Sequence, residues 1–147
     1  MTHHSHYFPK GREAELKAIA EAGGFTGPSF VGQGCTQHVG SDCYGHYVVS
    51  IGTLPNKKPI VGLVGAHTEF VKDWTDGSEK CCLPGSKEDP AECTPEQYIT
   101  TYGKDKRTGH PKWWFCDASG NRKPKGYSLR KCFYSWNGAS AYSDPSF

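Results

Sequence analysis

Two Cys-x-x-His pairs, Cys35-Thr-Gln-His38 and Cys43-Tyr-Gly-His46, stand four residues apart near the first third of the chain. Two thiolates and two imidazoles are the donor set that tetrahedral zinc accepts, and short chelate loops bring such ligands together cheaply. The linking loop is too short for a ββα finger. Cys35, His38, Cys43 and His46 therefore suggest one function class, a zinc-stabilised intracellular module. A second constellation is His67-Thr-Glu69, where two-residue spacing on a strand puts an imidazole and a carboxylate on one face. With His110, and with Lys112 or Arg130 to meet phosphorane charge, it has the residue types of a small secreted ribonuclease.

The densest aromatic group lies near the C-terminus: Trp113, Trp114, Tyr127, Phe133, Tyr134 and Trp136. Adjacent tryptophans on a strand point to opposite faces, so one enters the core while its neighbour can stay outside. An outward Trp113 or Trp114 flanked by Lys112, Arg130 and Lys131 can stack on a sugar or base, or anchor a protein. At the N-terminus, His3, or His4 once Met1 is removed, takes the third place that square-planar Cu(II) chelation uses. The blander reading of these residues is a tail. No phosphate-binding glycine motif, nucleophile elbow, HExxH helix, EF-hand loop or N-glycosylation acceptor is present.

The elements that must position these groups follow from periodicity. Residues 11–22, GREAELKAIAEA, are strong helix formers with Leu16, Ile19 and Ala20 on one face, and Gly23-Gly24 ends them. Residues 23–45 are rich in Gly and read as an irregular, cysteine-pinned loop. Alternating Tyr47, Val49 and Ile51 predict a strand over 46–53, and the apolar run IVGLVGA predicts a second over 59–66, joined by a hairpin with lysines at its tip. Thr94-Pro-Glu-Gln97 has the form of a helix start and predicts a short helix to residue 102. Residues 112–117 and 126–136 read as the two strands of an aromatic hairpin across a Ser-Gly-Asn turn. Residues 1–10 read as a polar His-rich tail and 138–147 as an irregular one.

A chain of 147 residues fits a single domain. With 4 Trp, 8 Tyr and 7 Phe it is not a disordered chain, and scattered Gly and Pro exclude a coiled coil. No apolar run approaches the roughly 18 residues of a membrane span. The expected class is α+β and β-rich: a small antiparallel barrel or sandwich with an N-terminal helix and one short later helix, stapled by disulfides. The formal charge is +2 and the pI is near 8.1, short of the value above about 9 of a dedicated nucleic-acid binder. Nucleic acid is thus a secondary partner class. Charge is nevertheless segregated, acidic over 69–96 and basic over 104–131, which suits steering toward an anionic partner.

Seven cysteines, Cys35, Cys43, Cys81, Cys82, Cys93, Cys116 and Cys132, exceed what a reducing cytosol ordinarily carries without a metal. Three disulfides and one free thiol can be drawn in about 105 ways. Adjacent Cys81 and Cys82 are too close, at about 3.8 Å between Cα atoms, to bridge each other. Each bridge would contribute roughly 2–4 kcal/mol. The first residues lack the apolar core of a signal peptide, so the expectation is a mature secreted form. In length, cysteine number and Gly/Tyr/Trp-rich β composition the whole chain resembles small secreted cysteine-rich proteins of the fungal effector or elicitor type. That resemblance implies a binding module outside the producing cell, without turnover or cofactor, that recognises a protein or a glycan.

Overall fold

A computed structural model describes residues 6–23, 25–39, 42–70, 78–82, 89–121 and 132–142. Among them are one α-helix, α1 (Glu13–Glu21), and nine strands: β1 (Gly34–Val39), β2 (Asp42–Thr53), β3 (Pro59–Gly65), β4 (His67–Phe70), β5 (Ser78–Cys82), β6 (Gln97–Lys104), β7 (Pro111–Cys116), β8 (Cys132–Ser135) and β9 (Ala141–Tyr142). All pairings between them are antiparallel. Six strands in the order β8-β1-β2-β3-β6-β7 curl into a half-barrel, and β9, β5 and β4 extend from the early part of β2. The fold is β-rich, as its alternating sequence pattern demands.

The sheet is buried on both faces, because β2 and β3 carry apolar residues at consecutive positions. The concave face holds Cys35, Val48, Val61, Leu63, Ile99, Trp113 and Trp136. The convex face holds Tyr47, Val49 and Val64 against Ala139 and Ala141. α1 lies over the concave side with Leu16 as its one buried residue, beside Phe25 and Phe30. Burying that leucine is worth roughly 2 kcal/mol, whereas the exposed Arg12–Glu15 pair at 3.5 Å adds little. Gly23, at φ 72°, turns the chain out of the helix in the left-handed conformation.

Several expectations need correction. The later helix is not at 94–102: Asp89 caps a single 3-10 turn, Pro90–Glu92, and Gln97–Lys104 is β6. The run Tyr98-Ile99-Thr100-Thr101-Tyr102 is β-branched and aromatic, and only an extended chain can lay Ile99 against Val61. The aromatic hairpin does not form, since β7 pairs with β6 and β8 pairs with β1. The tight turn after β6 offers β7 a nearby partner, and β8 satisfies the otherwise free edge of β1. The supposed loop over 23–45 contains β1. Residues 6–8 and 138–141 are not loose tails: Tyr7 donates its N–H to the Gly32 carbonyl at 2.7 Å, His6 Nδ1 accepts from the Gly34 N–H at 2.9 Å, and Ala139 is fully buried. No disulfide is formed among the described residues, where Cys35 and Cys43 are thiols; they sit on opposite faces and cannot meet. No described helix is long and apolar enough to cross a membrane.

Candidate functional site

Strand parity decides the fate of the two Cys-x-x-His pairs. Cys35 lies opposite His46 and His38 opposite Cys43 on the β1–β2 ladder. Residues three apart on a strand face opposite ways, so Cys35 and His46 point to the concave core while His38 and Cys43 point to the convex side. The four cannot share one tetrahedral ion, and no group of three or more His, Cys, Asp or Glu placed to hold a metal occurs among the described residues.

The inner pair faces the core. Cys35 is fully buried, and burial pushes its thiol far above the ordinary value. His46 accepts from the Gln97 amide on Nδ1 at 3.2 Å, leaving its Nε2–H buried without a hydrogen-bond partner. Burial lowers its pKa to about 4, so the ring is neutral at pH 7.

The outer pair is connected. His38 Nδ1 lies 3.4 Å from Cys43 Sγ, and His38 Nε2 lies 2.7 Å from Ser135 Oγ. Ser135 reaches it from the neighbouring strand, where its Cα partner is Thr36, one step along the same face as His38. Burial first, and then the adjacent Asp42 carboxylate, raise the Cys43 thiol above its ordinary value.

Ser135 also lines a cleft of about 380 Å³, together with Gly23, Phe25, Thr26, His110, Pro111, Tyr134, Trp136 and Asn137. The cleft lies at the seam of the half-barrel, between the start of β7 and the edge of β8 that faces away from β1. Trp113 and Trp136, with ring centroids 5.4 Å apart, plug the seam from within, and Tyr134 stacks on Trp136 at 5.7 Å. Gln33 fixes both walls. Its Oε1 accepts the Ser29 N–H at 2.5 Å and the Phe30 N–H at 3.4 Å. Its Nε2 donates to the Gly27 and Trp136 carbonyls, each at 2.9 Å. A fully buried amide with all these partners is rigid, because any displacement strands a polar group away from water.

The turn between β6 and β7 sets His110 at the cleft mouth. Asp105 Oδ1 accepts the N–H groups of Arg107 at 2.8 Å and Thr108 at 3.1 Å, bonds that hold its carboxyl below the usual range. Gly109, at φ 74°, makes the reversal an L side chain resists. The same turn exposes Lys104, Lys106 and Arg107, giving the cleft a basic flank.

The other expected sites fare as follows. Trp113 is only 4% exposed and cannot stack on a partner. Trp114 is half-buried and stacks on Tyr102, centroids 4.7 Å apart. Lys112 is half-buried on β7, and Arg130 and Lys131 lie outside the described residues. His67 and Glu69 are on β4 and His110 precedes β7, at opposite ends of the strand order, so the fold does not assemble them. Of Glu69, Cys81, Cys82 and Cys132 only the strand position is described; Cys93 follows the 3-10 turn, and Cys116 is buried at the end of β7. Ser135, Gln33 and Asn137 carry no motif in the sequence. Gln33 between Gly32 and Gly34 is the nearest to a signal, since a lone amide in a glycine-rich bend often satisfies backbone groups. Comparison with protein-family models, with curated proteins and with solved structures gives no match.

Proposed function

We propose that the protein is a binding module, acting outside the producing cell, that seats an acidic glycan in the seam cleft. The observation that carries this reading is the lining itself: Phe25, Pro111, Tyr134 and Trp136 beside Thr26, His110, Ser135 and Asn137. Sugar rings lay their C–H faces on aromatic rings, while their hydroxyls need the few fixed polar groups such a cleft supplies. Lys104, Lys106 and Arg107 on the adjoining turn favour a carboxylated sugar over a neutral one. The extracellular placement is supported by seven cysteines in 147 residues. In it any disulfides join cysteines other than Cys35 and Cys43, whose sulfurs are thiols.

Calorimetric titration with tetragalacturonate tests the reading. Binding is expected, weakened at least about tenfold by the His110→Ala/Asn137→Ala double variant. Lys106→Glu with Arg107→Glu should weaken it further at low salt than at high salt. Unchanged affinity in both double variants removes the cleft as the site.

A further inference from the structure

We propose that the ligand is a polymer, a polyuronate chain that leaves the seam cleft at His110 and runs on across the tips of two neighbouring hairpins. This rests on the cleft being the site of an acidic glycan, and extends that reading from the sugar held there to the chain attached to it. Sheet topology brings the two tips together. β3 and β6 are antiparallel with Ile60 opposite Thr100, so the start of β3 and the end of β6 lie at the same end of the sheet. The Thr100 hydroxyl donates to the Pro59 carbonyl at 2.7 Å and ties the two strands there. The β2–β3 turn, residues 54–58, therefore stands beside the β6–β7 turn, residues 105–110, whose His110 is at the cleft mouth. From β7 to β2 is three strand spacings, about 14 Å.

Both tips are cationic. Lys57 and Lys58 at the first, and Lys104, Lys106 and Arg107 at the second, are all exposed. The one acid in either turn is Asp105, and its Oδ1 is taken up by the N–H groups of Arg107 and Thr108. Like charges on neighbouring turns repel one another, and an anionic chain laid across them removes that repulsion. Lys57 adds a separate sign. It sits at φ 68°, in the left-handed region that glycine or asparagine adopts with less strain, so a long cation is held where a smaller residue would fit the backbone better. The turn is also fixed. The Leu54 N–H donates to the Lys58 carbonyl and the Lys57 N–H to the Leu54 carbonyl, each at 2.8 Å, and Asn56 Oδ1 accepts the Lys58 N–H at 3.0 Å. A fixed backbone lowers the ordering cost of binding. An anionic membrane fits less well, because the exposed large apolar side chains among the described residues are Ile19, Tyr44 and Ile51, none of them in either turn. A nucleic acid fits less well too, since neither turn holds a Phe, Tyr or Trp for a base to stack on.

The test is calorimetric titration of the full chain at low salt with tetragalacturonate and octagalacturonate. A tetramer-sized site has several registers on an octamer, which by statistics alone tightens binding about fivefold. The wild type is expected to bind the octamer at least about thirtyfold more tightly than the tetramer, with the gap narrowing as salt is raised. Lys57→Asn/Lys58→Gln removes both charges and gives position 57 a residue that tolerates the left-handed conformation. It should leave Tm undiminished and tetramer affinity within about twofold, while the octamer gain drops to about fivefold. An octamer gain of only about fivefold in the wild type, or an undiminished gain in the variant, overturns the proposal while tetramer binding keeps the cleft reading in place. Octamer binding that is lost in the tip variant, without tetramer binding and without any effect of His110→Ala/Asn137→Ala, removes the cleft reading and with it the continuous path. Equally tight binding of phosphatidylserine vesicles, or of an oligothymidylate of equal charge, overturns the choice of partner.

Discussion

Cys35 with His46 and Cys43 with His38 are the same two residue types, paired across the same two strands, yet they do opposite things. The first pair faces the concave core, where a fully buried thiol and a neutral ring fill space beside Val48 and Leu63. The second faces the convex side, half-buried, and its imidazole bridges a thiol to the Ser135 hydroxyl. Neither chemistry is in the residues alone. It comes from which side of the pleat they occupy and what the neighbouring strand sets beside them.

The comparison breaks most clearly under a charge. Cys35→Asp puts a carboxylate into the core with nothing to pair it, and is expected to cost more than about 4 kcal/mol or to prevent folding. Cys43→Asp, half-exposed on the convex face, should stay within about 1 kcal/mol of the wild type. Urea melts of the two variants measure the difference, and equal costs would show that the two faces are not distinct environments.

A smaller effect follows from His46. Its folded pKa, about 4, lies below the ordinary 6.5 of the unfolded chain. The unfolded state therefore binds more protons between those values, and stability falls as pH drops through them. The contribution is complete above about pH 6.5, and the loss reaches roughly 3 kcal/mol by pH 4. Melts between pH 7 and 4 should show this loss, and His46→Gln should remove that part of the slope. An identical slope in the variant assigns the loss to other groups.

The smallest effect sharpens the outer pair. Asp42 helps to keep the Cys43 thiol protonated, so Asp42→Asn should speed iodoacetamide labelling of native Cys43 about two- to threefold at fixed pH. Cys35 should remain unlabelled until the chain unfolds, in both proteins. Slower labelling of Cys43 would mean that the carboxylate acts on it in some other way.

Much of the frame was legible because it is local. The period-2 alternation in β2, the apolar run of β3 and the helix formers of α1 each report their own burial. Where the reading failed, a distant partner decided. Thr94-Pro-Glu-Gln97 has the form of a helix start, but Ile99 is claimed by Val61 across the sheet, and the pairing overrides the cap. Trp113-Trp114 and Phe133-Tyr134 look like facing strands, yet each found another neighbour. The zinc quartet failed on parity, a property that required knowing β1 to be a strand rather than a loop. Ser135 was invisible for the strongest reason: its significance depends on His38, 97 residues earlier in the chain, and on a register that no local pattern encodes.

Ligand binding is assigned to the seam cleft. Backbone amide chemical-shift mapping during titration with tetragalacturonate tests it most directly. The account predicts that saturable shifts gather at Phe25, Thr26, His110, Ser135 and Asn137 and along the Lys104–Arg107 turn, with His46 and β4 unmoved. Shifts gathered on β4 and β5, or none at saturating sugar, would contradict it.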